Sequence, residues 1–78
     1  MTYELWSKVS RNIVGAFPTE KAALDAVREA VQTRGRAYAE GFAVLREGRN
    51  GRSTLLAEGA TLVDRALAVA RPQDRVTV

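Results

Sequence analysis

Both ends of one helix are written into this chain, and they constrain what can surround it. Thr19 is a good N-cap, Pro18 precedes it, and Glu20 suits the positive end of a helix dipole. Leu24, Val27 and Val31 recur at helical spacing, with Ala23 and Ala30 beside them. Arg34 suits the last turn, and Gly35 is the stop expected just past a helix. The spacing predicts a helix over Thr19 to Arg34. The residues before it follow a different period. Tyr3-Glu4-Leu5-Trp6 alternates in polarity and is rich in strand formers, and Ile13-Val14-Gly15-Ala16-Phe17 reads as a second strand. Ser7 to Asn12 is a polar connection of hairpin length.

The second half repeats the order. Phe42-Ala43-Val44-Leu45-Arg46 reads as a third strand, reached by a short loop through Tyr38. Gly48-Arg49-Asn50-Gly51-Arg52 follows. Asn-Gly between two apolar runs is a strong hairpin signal, because both residues tolerate the positive φ of a type I′ turn. Thr54-Leu55-Leu56-Ala57-Glu58 is a fourth strand. Ala60 to Ala70 is a second helix, ended by Pro72. The fold class is α+β: a two-layer ββαββα domain, with a four-stranded mixed or antiparallel sheet and two helices on one face. The domain spans 1–71, and 72–78 reads as a flexible tail, with Arg75-Val76-Thr77-Val78 as a candidate edge strand. The halves look like a degenerate duplication, in which Val14-Gly15-Ala16-Phe17 matches Leu55-Leu56-Ala57-Glu58.

Period-two geometry assigns the sheet faces. With Asn50-Gly51 as a two-residue loop, Arg49 opposes Arg52, Leu45 opposes Leu56 and Val44 opposes Ala57. Tyr3, Leu5, Ile13, Phe17, Phe42, Val44, Leu55 and Ala57 then face the helices. The other face has an apolar centre of Trp6, Val14, Leu45 and Leu56, ringed by Glu4, Glu47 and Glu58. An apolar patch with a polar rim is the expected form of a protein interface, and tryptophan is enriched in such surfaces.

Size points the same way. At 78 residues the chain holds one domain, and a domain this short hides only about 60–65% of the surface its unfolded chain exposes. Disulfides, a structural metal or oligomerisation usually compensate. There are no cysteines and no histidines, so disulfides, thiolate metal sites and the commonest ligand of zinc are excluded. Oligomerisation remains, and a symmetric homodimer is its commonest form. An unidentified protein is the other candidate partner.

The missing residues also limit chemistry. Nucleophilic catalysis through histidine or cysteine is closed to the chain. Ser7, Ser10 and Ser53 have no evident base. The acidic residues are dispersed and show no metal-binding spacing. Carboxylates such as Glu47 and Glu58 have a place near one sheet face where they could meet, and a solvated rim is the favoured reading of them. Gly48 to Arg52 lacks the ending of a phosphate-cradling loop and runs into a strand. The expectation is a protein that is not an enzyme and takes no cofactor. No apolar run approaches the ~18 residues of a membrane span. Met1 to Trp6 has no basic segment followed by an apolar stretch, so it does not read as a signal peptide. The expected location is the cytoplasm, away from membranes.

The net charge is +3, and ten of the twelve basic residues are arginine. Nucleic acid is therefore an alternative partner, less favoured than protein. Lys8 and Arg11 lie in the first turn, and Arg34 and Arg36 follow the first helix. Arg46, Arg49 and Arg52 cluster at the second hairpin. The first helix is about 24 Å long at ~1.5 Å per residue, so it crosses the sheet. It leaves strands two and three parallel, as neighbours or near neighbours. The two basic clusters then lie at opposite ends.

Several segments carry a resemblance. They are Tyr3-Glu4-Leu5-Trp6, Asn12-Ile13-Val14-Gly15-Ala16-Phe17, the helix start with Thr19, Glu20, Ala23, Leu24, Val27 and Arg28, and Ala57-Glu58-Gly59. Together they resemble a group of short uncharacterised bacterial proteins, from Tyr3 to roughly Leu67. That resemblance implies a bacterial origin and no activity. Ile13 to Phe17 followed by the Thr19 helix is also similar to the start of SPOR domains, which bind peptidoglycan glycan strands. This chain departs from that family in having a strand before the motif and in lacking a clear second-half partner to it, and no export signal is expected.

Overall fold

The computed structural model describes residues 2–69. Seven elements follow in order: β1 (Thr2–Ser7), β2 (Asn12–Phe17), α1 (Glu20–Arg34), α2 (Arg36–Ala39), β3 (Phe42–Glu47), β4 (Ser53–Glu58) and α3 (Gly59–Val69). The strands form one sheet in the order β2-β1-β3-β4. Every neighbouring pair is antiparallel, so the sheet is not mixed. β2 and β3 run parallel to each other with β1 between them. The expected tail at 72–78, its candidate strand and the Ala70 end of the last helix lie outside the described residues.

Local chemistry explains the helix boundaries. Thr19 has extended backbone angles, and its Oγ1 accepts a bond from the Ala22 amide at 3.1 Å. At the other end Gly35 takes φ +93° and its N–H donates to the Val31 carbonyl at 2.8 Å. A side chain there would be strained, so glycine stops the helix. The expected loop through Tyr38 is instead the single-turn α2. Its Tyr38 ring meets Phe42 edge-on, with centroids 5.3 Å apart, and fixes the chain's entry into β3. The last helix begins at Gly59, one residue earlier than expected.

α1 lies over β1 and β2, and α3 over β3 and β4, with the helices in mutual contact. The core between the layers joins Leu5, Phe42, Val44 and Ala57 of the sheet to both helices. α1 buries Ala23, Leu24 and Val27, and α3 buries Leu62, Val63 and Ala66. Both use positions i, i+1 and i+4. The two ββα halves are thus related by a pseudo-two-fold axis through the β1–β3 pair, where Leu5 opposes Val44.

The second turn differs from the expected two-residue loop. The Gly48 amide donates to the Arg52 carbonyl at 2.7 Å, and the Gly51 amide to the Gly48 carbonyl at 3.1 Å. Arg49-Asn50-Gly51 is therefore a three-residue loop, and Gly48 rather than Arg49 opposes Arg52. Only Gly51 needs positive φ, at +80°, which is the pattern of a type I turn closed by a left-handed glycine.

Candidate interaction surface

Two β-bulges decide which side chains reach the helix-free face. Trp6 pairs with Ile13 and Leu5 with Gly15, so Val14 is an extra residue in β2. Leu45 pairs with Leu55 and Val44 with Ala57, so Leu56 is an extra residue in β4. An extra residue shifts the alternation on its strand. Val14 and Leu56, expected on the free face, turn to the helix side. Val14 lines a hollow with Leu5, Phe17 and Ala30, and Leu56 packs against the core. Ile13 and Leu55, expected beneath the helices, take their places on the free face. They are 48% and 49% exposed. The bulges also move the internal match by one residue: Val14-Gly15 corresponds to Leu56-Ala57.

Trp6, Leu45, Glu4, Glu47 and Glu58 lie on the free face as expected. Register places them in rows. One row runs Ile13, Trp6, Ala43, Glu58, and the next runs Ala16, Glu4, Leu45, Leu55. Apolar pairs sit at opposite corners, Ile13 with Trp6 and Leu45 with Leu55. They make a diagonal stripe across the sheet, and the pseudo-two-fold exchanges its ends. The glutamates flank it. Trp6 is half-buried, and its Nε1–H donates to Glu4 Oε1 at 3.0 Å. That bond holds the indole over the sheet and satisfies its one polar atom. Ala43 is only 5% exposed on a face without helices, because its cross-strand neighbours Trp6 and Glu58 flank it.

Glu47 and Glu58 do not form a carboxylate pair. They stand beside or along β3 four positions apart in register, a separation of about 13 Å at the rise of a strand. Glu58 instead pairs with Lys8 at 3.2 Å. Among the described residues no cluster of three or more acidic side chains could hold a metal ion, and no helix is long and apolar enough to cross a membrane.

The two basic clusters do lie at opposite ends of the sheet, but they differ in neutralisation. Lys8 is paired with Glu58. Arg36 donates to Glu40 at 2.9 Å and to Asp64 at 2.8 Å. These bonds raise the pKa of its guanidinium, Asp64 first and Glu40 second. Arg34 lies 5.1 Å from the Tyr38 ring centroid. Arg11 sits in the first turn at φ +61°. At the far end Arg46, Arg49 and Arg52 take part in no ion pair among the described residues.

Ile13 and Leu55 are the surface residues that strict alternation misses. A glycine inside a strand marks a possible bulge, and Gly15 stands beside the one in β2. The bulge in β4 carries no such mark. Comparison with protein-family models, with curated proteins and with solved structures finds no match for this chain.

Proposed function

We propose that this chain is a non-enzymatic interaction module that pairs with a second copy of itself through the helix-free sheet face, in the cytoplasm. The observation that carries the reading is the apolar diagonal of Ile13, Trp6, Leu45 and Leu55, bordered by glutamates. A second copy offers the same diagonal, and its near-symmetry lets apolar corners meet apolar corners. Edge-to-edge pairing is the competing route. It is disfavoured because β2 and β4, the two edge strands, each carry a bulge at mid-length, and bulges spoil an edge as a template.

Magnitudes set the strength. Covering the exposed half of one large aliphatic side chain is worth roughly 1 kcal/mol. Ile13 and Leu55 on two copies supply about 4 kcal/mol, and Trp6 with Leu45 a similar amount. Association costs about 4 kcal/mol or more in lost rigid-body freedom. The balance is a weak dimer, with a dissociation constant on the order of 1 mM. Sedimentation equilibrium on a concentration series tests this. Mass should rise toward that of a dimer in the wild type and stay monomeric in Leu55→Asp. A wild type that remains monomeric at millimolar concentration defeats self-pairing and leaves an unrelated protein as the occupant.

A further inference from the structure

Among the described residues, three of the cations without an ion pair gather on one hairpin. Lys8, Lys21, Arg36 and Arg65 each sit beside a carboxylate. Arg34 covers Tyr38. Among the described residues, Arg11, Arg28, Arg46, Arg49 and Arg52 take part in no ion pair. Three of these five fall between positions 46 and 52.

Register places them together. Arg46 opposes Thr54, and the Gly48–Arg52 bond carries the ladder on beyond the strands. Arg46 and Arg52 therefore share the helix side of the hairpin as diagonal neighbours, roughly 7–8 Å apart at the backbone. Arg49 stands in the turn beyond them, at the rim of a hollow that Thr2 and Glu47 also line. Glu47 is the one carboxylate between Gly41 and Ala57, and it points to the opposite face. The helix side of this tip is thus positive and exposed, with no acid on its own strands to cancel it. Tyr3, beside Arg46 in the sheet, packs against the core, so it is not free to stack on a base. Single-stranded nucleic acid is held largely by such stacking. A duplex needs only charges aimed at its phosphates.

We propose that the β3–β4 hairpin is a contact surface for the phosphate backbone of duplex DNA, with Arg46, Arg49 and Arg52 each meeting one phosphate. This stands apart from the sheet-face pairing, since Arg46 and Arg52 lie on the other side of the sheet and Arg49 in the turn beyond its end. Three contacts give sequence-independent binding whose logarithm falls against log salt with a slope of about −2.7, and six contacts in a dimer double it.

The test is fluorescence anisotropy of a labelled duplex titrated with the full chain at several salt concentrations. Binding should appear at low salt and weaken with that slope. Replacing Arg46, Arg49 and Arg52 together by glutamine should lower affinity by about tenfold or more at low salt and flatten the slope. Arg11→Gln with Arg28→Gln should change little, and circular dichroism melts confirm that both variants fold. The proposal is overturned by no binding at low salt, or by equal loss in both variants. It is also overturned if a single strand of equal length, or polyglutamate, binds as tightly as the duplex.

Discussion

The β1–β2 and β3–β4 hairpins share a backbone and differ in most of their side chains. Each pairs a central strand with an edge strand, and each edge strand holds one extra residue at the same place, Val14 in one and Leu56 in the other. In both the extra residue turns an aliphatic group toward the helices and sends its predecessor to the free face. The outcome differs between the two: Leu56 packs against the core, whereas Val14 lines an open hollow beside Phe17 and stays 53% exposed. The ends of the hairpins differ instead. In the first turn Lys8 pairs with Glu58, and Arg36 of the same basic cluster pairs with Glu40 and Asp64. In the second, Arg46, Arg49 and Arg52 take part in no ion pair among the described residues. Common geometry thus serves the core, and the differences fall where solvent or a partner reads them.

The hardest test of this kinship is at the centre, where the halves meet. Leu5 is 2% exposed and opposes Val44 across the pseudo-axis. Leu5→Ala should cost about 3 kcal/mol. A chain of this size has roughly 4–12 kcal/mol in total. Urea unfolding should show an earlier midpoint and one transition. Two separated transitions would mean that the halves hold themselves together independently, and the shared core would lose its meaning.

A sharper comparison sets neighbours in β4 against each other. Leu56→Asp puts a carboxylate against the core and should cost about 2–3 kcal/mol. Leu55→Asp should stay within about 0.5 kcal/mol, since the position is solvent-facing in the monomer. Thermal melts in dilute solution decide it, and an unbulged ladder would reverse the order. The same pair marks the limit of what the sequence discloses. The ends of α1 are legible because Thr19 and Gly35 act on backbone groups within a turn of themselves. The alternation of strand and helix is legible because the hydrophobic period changes from two to 3.6. Strict alternation misplaces Ile13, Val14, Leu55 and Leu56, because a bulge answers to the helix packed above it rather than to its own strand. Trp6 and Leu45 are placed correctly, because they belong to central strands without an insertion. The Lys8–Glu58 and Arg36–Asp64 pairs are invisible beforehand, since their members are far apart in the chain and meet only once the sheet closes.

Smaller effects than the core losses lie in the turns, where the two hairpins reach positive φ by different residues. Gly51 adopts φ +80° and Arg11 adopts φ +61°. A side chain in the left-handed region costs about 1–2 kcal/mol. Gly51→Ala adds that cost, and should lower the melting temperature by several degrees at about 4–8 °C per kcal/mol. The first turn already bears it. Arg11→Gly should remove it, less the ~0.5–1 kcal/mol of backbone freedom that glycine brings to the unfolded chain. The net gain is about 0.5 kcal/mol, a rise of a few degrees. Opposite signs for the two substitutions, read by calorimetry on the same day's protein, would establish that the turns carry one conformational demand and that only the second meets it without strain. A fall in melting temperature for Arg11→Gly would show instead that the arginine side chain makes a contact worth more than its backbone costs.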